Sequence, residues 1–478
     1  MSQPDNTQFL VFGNSLAASM TVLALSKTLP KNISVKWVKP AASSTSDMLY
    51  GGISSPEAYQ FNLKYGVTEP QLILETDSTF SFGTHFNEWG NHNRTWMQCF
   101  HLPFAATAGV ELHHFMTRHG TSLGDFLISA QAAMKGTFAH PPTDNLQSPL
   151  SRAEYGYHFD PVQWSAVFYK QTDKTRIEII HGDITRVKQS QNQGENQNQI
   201  DYVELDDGTK QQADLYIDCS GTDSKLLASL AEDFVKQRAV NISTDTHAVG
   251  QTGPAYRLIS GGESGWQSVT PLRDNNQILS LFESSTDREN ENCQTFELGR
   301  RRQAWKGNCL GIGHSVYALE PITPAAYILL KKDIERFLEL IPVKPETHIE
   351  SQEYNRRAQD DIIHAELFHR AMYAGQGELG DVDCEKLDRK LSQYLHRGIV
   401  AAYDFEPFNQ QDWAILHAGL GRVPKRYDRM AEQVDFQQTQ KNLDRMRAGI
   451  AHLAASMPAH HVYLEKLTTY LRNSDKHG

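Results

Sequence analysis

Gln8-Phe-Leu-Val-Phe-Gly-Asn-Ser-Leu-Ala-Ala-Ser19 is the stretch on which the fold turns. Phe9 to Phe12 is a short apolar run. Gly13 and small residues follow, and Met20-Thr-Val-Leu-Ala-Leu25 resumes at helical spacing. The pattern predicts a buried strand, a tight turn and a helix. Placed first in a chain, that unit opens a doubly wound α/β domain whose turn holds a pyrophosphate. The helix N-terminus offers free N–H groups and a positive dipole end to an anion. Gly13, Ser15, Leu16 and Ala17 are therefore the candidate nucleotide cradle.

Outward from the cradle, Ile33-Ser-Val-Lys-Trp-Val38 is a second strand. A dinucleotide fold places an acidic residue at its end to hold a ribose hydroxyl. Here Lys39 stands there instead. The 478 residues suit one large interlocked body or two to three smaller domains. A net charge of -11 argues against nucleic-acid and anionic-membrane partners, which need a basic surface. No apolar run approaches the ~20 residues of a spanning helix. The polar start, Met1-Ser-Gln-Pro-Asp-Asn-Thr7, is unlike a signal peptide, so a cytoplasmic protein is expected. The five cysteines are scattered without a CxxC pair and read as reduced thiols, with no metal site implied.

Further along, Tyr50-Gly-Gly-Ile-Ser-Ser-Pro56 reads as a loop, Thr79 to Phe86 as one alternating strand and Asp160 as a helix N-cap. Gln189 to Gln199 reads as a polar loop tip without function. Strands are expected at 176–180, 199–205 and 213–219. From about Ala325 the chain reads as mostly helical, ending in an amphipathic stretch from Met446 to Leu471. The expected organisation is a Rossmann-like box over residues 1–340, with insertions near 45–150 and 236–300, followed by a helical subdomain over 341–478.

Several motifs occur in order. They are Thr79-Phe-Ser-Phe-Gly-Thr-His-Phe-Asn-Glu-Trp89, Tyr157-His-Phe-Asp160, Asp214-Leu-Tyr-Ile-Asp-Cys-Ser-Gly221 and Gly265-Trp-Gln-Ser-Val-Thr-Pro-Leu272. Gly313-His-Ser-Val-Tyr-Ala-Leu-Glu-Pro-Ile-Thr-Pro-Ala325 and Trp413 with Gly419-Leu-Gly-Arg-Val-Pro424 complete the set. Together they resemble the flavin-dependent tryptophan halogenases, from about residue 8 to residue 430. The resemblance implies an FAD-binding flavoprotein monooxygenase fold, with a mixed-sheet substrate region and a C-terminal helical subdomain. It also implies FAD reduced by a separate flavin reductase and a small aromatic or tryptophan-containing substrate, with a homodimer as the candidate assembly. In the family a lysine, near a glutamate, directs hypohalous acid to an aromatic carbon.

This sequence departs from that pattern where chemistry is done. The lysine's place is Ser81, which cannot form a haloamine, and the glutamate's place is Thr323; Glu320 lies three positions earlier. The motif that walls flavin from substrate keeps Trp266 and Pro271 but has Ser268 and Thr270. In the cradle, Ser15 replaces the glycine that lets backbone approach the pyrophosphate. Gly313 and Pro321 match, but His314 replaces an aspartate, and Gly51-Gly-Ile-Ser54 drops a carboxylate. Lys39 makes a fourth changed cofactor position. His85 reads as an acid or base facing the old tunnel, or as a structural histidine. His101 and Phe104 match the aromatic substrate shelf, with the family's spacing shorter by one residue, so that Leu102 also competes for the histidine's place. Trp96, Phe100, Phe104 and Trp413 read equally as stacking partners or as core.

Two functions are therefore expected. The first is a divergent member doing FAD-linked oxidoreductase or monooxygenase chemistry on an aromatic substrate, not standard halogenation. The second is a non-catalytic paralogue with lost or weakened flavin binding that serves as a small-molecule or protein partner.

Overall fold

The computed structural model describes residues 7–90, 92–190, 199–262, 264–283, 293–342, 347–374 and 384–474. The opening unit folds as a strand, Thr7–Phe12, a turn and a helix, Leu16–Thr28. The strand sits centrally in a six-stranded sheet ordered Trp305–Lys306, Cys309–Gly311, Leu215–Asp218, Thr7–Phe12, Ile33–Lys39, Ile177–His181. All neighbours are parallel except the terminal Trp305–Lys306 pairing. Such strands are buried on both faces, which explains the unbroken run Phe9 to Phe12. The helix behind them is buried along Leu16 to Ser26 because helices Pro161–Gln171 and Ala325–Glu339 pack against it. Asp160 caps the former, accepting from the Gln163 N–H at 2.9 Å.

A second, eight-stranded sheet carries the opposite wall. Its order is Tyr317–Ala318, Cys293–Arg301, Phe234–Ala248, Asn275–Glu283, Gly265–Pro271, Arg257–Gly262, Gly83–Trp89, Arg94–Cys99. Only the pairing of Arg257–Gly262 with Gly83–Trp89 is parallel. The single strand expected from Thr79 to Phe86 is two. Thr79–Ser81 pairs with Gly156–His158, and the chain then crosses into the large sheet at Gly83.

After Ala325 the described chain is helical. His348–Tyr373, Cys384–Arg397 and Gln410–Gly419 are followed by Phe436–Ser456 and His460–Ser474. The expected continuous helix from Met446 to Leu471 is broken at Pro458, which lacks an N–H to donate. Most of the polar tip within Gln189 to Gln199 (residues 191–198) lies outside the described residues. No helix among the described residues is long and apolar enough to cross a membrane.

Candidate functional site

Two hollows of the frame concern function, and the cradle is the first. Gly13 has φ +140°, and a Cβ there would run into the Cys219 carbonyl, so strand and turn meet only through glycine. Ser15 is the N-cap of the first helix. Its hydroxyl donates to the Cys219 carbonyl at 2.8 Å and accepts from the Ala18 N–H at 3.1 Å. Both of its bonds therefore close inside the protein.

The first N–H of the helix already has a partner. Asp47, on the short turn Thr45–Tyr50, puts Oδ2 2.9 Å from the Leu16 N–H. It is 6 % exposed and its Oδ1 has no partner. Burial pushes its carboxyl from 3.8 up to about 7, against the pull of the Leu16 N–H. The same segment is stitched across the sheet end. Thr222 N–H donates to Ser46 Oγ at 2.9 Å, and Ser44 N–H donates to the Asn14 carbonyl at 2.9 Å.

Tyr50 fills the next stretch. Its ring is fully buried 4.4 Å from the His314 ring, and its hydroxyl lies 3.2 Å from where a Gly313 Cβ would be. Ala17 touches the same point from below, and the Gly313 N–H donates to Asp333 at 3.2 Å. His314 Nδ1 bonds to the Tyr317 carbonyl at 3.2 Å, while burial lowers the imidazole to about 4 and keeps it neutral. The Pro321 carbonyl closes on Gly51. The Lys39 ammonium stacks on Tyr169 at 4.5 Å and Trp37 at 5.1 Å, and burial lowers its pKa. Trp37 Nε1 donates to the Gly13 carbonyl at 2.9 Å.

The second hollow is open. A chamber of about 270 Å³ takes Thr84 and Phe86 from one strand, with Phe100, His101, Thr323 and Phe408 around them. Strand periodicity explains which residues of 83–89 it receives. Thr84 and Phe86 share a face, so His85 points away, its ring edge-on to Tyr256 at 5.2 Å with neither nitrogen bonded. Burial lowers its pKa. Ser81 lies before the crossover, wholly buried, its Oγ bonded at 3.2 Å to the Gly83 N–H. It is not on the chamber wall.

Thr323 is on the wall, but its hydroxyl is engaged. It accepts from the Ala325 N–H at 3.2 Å and shares a hydrogen bond of 2.6 Å with His369 Nε2. Burial lowers His369 to about 4 and holds it neutral. His101 Nδ1 bonds to the Leu102 carbonyl at 2.8 Å, and burial lowers it to about 4 as well. Its ring lies 4.9 Å from Phe104, which faces an outer hollow of about 520 Å³ that shares Pro103, Phe408 and Asn409 with the chamber.

Neither expected tryptophan lines the chamber. Trp266 donates to Glu320 at 2.5 Å, and Glu320 also accepts from Tyr373 and pairs with Arg238, so that carboxylate is fully committed. Arg257, fully buried, lies over Trp266 and donates to Ser268 at 3.1 Å. Trp413 is packed between Phe368 at 5.1 Å and the Lys390 ammonium at 4.5 Å. Sequence reasoning did not single out Asp47, Tyr50, Ser55, Glu154 or Asp412. Asn409-Gln-Gln-Asp412 is a capping-box spacing, and its sequence signal is structural.

A two-layer α/β frame with a dinucleotide-type cleft and an adjoining aromatic chamber defines the class: the fold of the flavin-dependent halogenases. Residues 8–436 match the pattern of the tryptophan halogenase family, and the chain belongs to that family. The structure superposes on BrvH, a flavin-dependent halogenase from Brevundimonas sp. BAL3, with TM-score 0.85 and 22% identity over 97% of this chain and 100% of that one. It likewise superposes on Xcc4156, a flavin-dependent halogenase from Xanthomonas campestris, with TM-score 0.86 and 20% identity over 96% and 98%. Tryptophan 7-halogenase RebH of Lentzea aerocolonigenes is 23% identical over 234 residues, 43% of each chain. That match spans less than half the relative's length.

Membership implies FAD, supplied reduced by a separate flavin reductase, as the family's cofactor. A pyrophosphate needs the Leu16 N–H, where the Asp47 carboxylate stands, and a flavin needs the space beside Gly313, where the Tyr50 phenol stands. A hollow of about 260 Å³ lined by Asp47, Gly51, Gly52, Asp160 and Thr270 lies beside these groups, so the misfit to FAD is at the helix end and at Gly313.

Proposed function

We propose that this protein is a halogenase-family member that has set flavin chemistry aside and binds a small aromatic molecule in the chamber beside Thr323. The observation that carries this is the Asp47 carboxylate on the Leu16 N–H. It occupies the N–H that a pyrophosphate oxygen would take, so a phosphate reaches that donor only by displacing Asp47. The changes at Ser81 and Thr323 agree with it. One hydroxyl is bonded into a strand crossover and the other to a neutral histidine, so neither is free for proton transfer or attack. Of the two functions expected from sequence, this favours the binding paralogue over FAD-linked oxygen transfer.

The chamber's part is to bind and orient. Phe86, Phe100 and Phe408 supply apolar aromatic wall, and neutral His101 closes one side without charge. Calorimetric titration with indole should give one saturable site whose affinity is the same with and without FAD. Absence of any saturation by indole would sink this reading. So would indole binding that requires FAD.

A further inference from the structure

We infer that the chamber selects an aromatic ring carried on a short ammonium chain, an arylalkylamine, over an amino acid. This rests on the chamber being an aromatic-ligand site, as proposed above. Three carboxylates, Glu57, Glu154 and Asp412, line it together with the phenylalanines, and no lysine or arginine does. Glu57 is held by Lys331 at 2.7 Å. Glu154 and Asp412 have no basic partner among the described residues. Asp412 accepts only from the Asn409 N–H, at 2.8 Å.

The carboxylates feel one another across the hollow. Burial raises Glu154, and the charge of Glu57 raises it further. Burial raises Asp412 to about 7, with Glu154 and Glu57 adding to the shift. Glu154 and Asp412 are half-buried beside an apolar wall, and a cation joining them restores the solvation they lose there. An ammonium would relieve both the desolvation and the mutual repulsion, through short charge-assisted bonds. Aromatic faces alongside favour the same charge.

A second feature points to a polar ligand group. Ser55 lines the chamber, is 3 % exposed, and its hydroxyl has no partner. A buried hydroxyl left unpaired costs about 1–3 kcal/mol, which a ligand N–H or O–H bonding to Ser55 removes. A ligand carboxylate gains nothing here, because the wall has no fixed cation to receive it and His101 is neutral. The chamber therefore rewards the amine of an amino acid and penalises its acid.

The test is a calorimetric series at about pH 8, above the ordinary carboxylate range. Its probes are indole, tryptamine, tryptophan and 3-indolepropionate, which share a ring and differ in charge. Tryptamine should bind at least tenfold more tightly than tryptophan, about 1.4 kcal/mol, and 3-indolepropionate should bind most weakly. Glu154→Gln should remove about tenfold of tryptamine's affinity, about 1.4 kcal/mol, and leave indole unchanged. Asp412→Asn keeps the helix cap and should act in the same direction; Glu57→Gln, whose charge is already paired, should act less. Tryptophan or 3-indolepropionate binding as tightly as tryptamine would overturn the inference while leaving the aromatic site standing. Failure of all four probes would remove both.

Discussion

The cleft at Gly13 and the chamber at Thr323 hang on one frame and are lined in different ways, with a hollow of about 260 Å³ beside Asp47 in the first and of about 270 Å³ in the second. In the cleft the protein's own groups take the ligand's places: Asp47 at the helix end and Tyr50 against Gly313. In the chamber the changed residue Thr323 turns its hydroxyl to His369, and about 270 Å³ stays open between aromatic walls. Losing a cofactor site and losing a substrate site are thus separable events. A cleft between sheet ends can be closed by one loop folding back. A chamber walled by strands and helices keeps its shape when single polar groups change, because packing rather than the lost groups defines it.

Stability measurements separate the two regions most strongly. Tyr50 is fully buried, so Tyr50→Ala should cost about 3–5 kcal/mol, the range for emptying a filled aromatic position. Phe100, half-buried on the chamber wall, already borders space, and Phe100→Ala should cost about 1 kcal/mol. Urea unfolding of both variants decides it; equal losses would mean that the cleft is no better filled than the chamber.

A smaller loss is expected at Thr323. Thr323→Val keeps the shape and leaves buried His369 without its partner, at about 1–3 kcal/mol. Wild-type stability in that variant would show that the hydroxyl is free and leave it open to a chemical role. Smaller again is the gain from clearing the helix end. Asp47→Ala should raise affinity for FAD at least tenfold, about 1.4 kcal/mol, read by quenching of flavin fluorescence. An unchanged or lowered affinity would show that Asp47 is not the obstacle.

The remaining effect is one of pH. Asp47 in the folded protein stays protonated up to about 7, against 3.8 ordinarily, so the folded state binds the extra proton. Its contribution is therefore greatest below pH 3.8 and declines as pH rises towards about 7. Asp47→Asn keeps an oxygen acceptor for Leu16 and removes the titration. Denaturant midpoints at about pH 5 and about pH 8 should fall less in Asp47→Asn than in wild type. Parallel falls would mean that Asp47 is ionised throughout.

Much of this was legible in the chain. Gly13 between an apolar run and a helical run is local information, and it yielded strand, turn and helix correctly. The motif order placed the whole frame. The missing charges were legible too, since Ser15, Lys39, Ser81, His314 and Thr323 are read directly. What replaces them was not. Asp47 meets Leu16 across 31 positions, and Ser46 meets Thr222 across 176, so nothing local announces either contact. His85 shows a subtler limit. Alternation predicted its strand but not which face looks on the chamber, because the crossover at Gly83 sets that. Trp266 and Trp413 resemble binding residues by type, and only their partners Glu320 and Lys390 reveal them as held inside the frame.

The most direct test of the closed cleft is equilibrium titration of the wild-type protein with FAD in air and with reduced FAD under anaerobic conditions. Neither form should show saturable binding up to roughly 100 μM, an affinity weaker than about 5.5 kcal/mol. Stoichiometric flavin retained through purification, or micromolar binding of the reduced form, would contradict it.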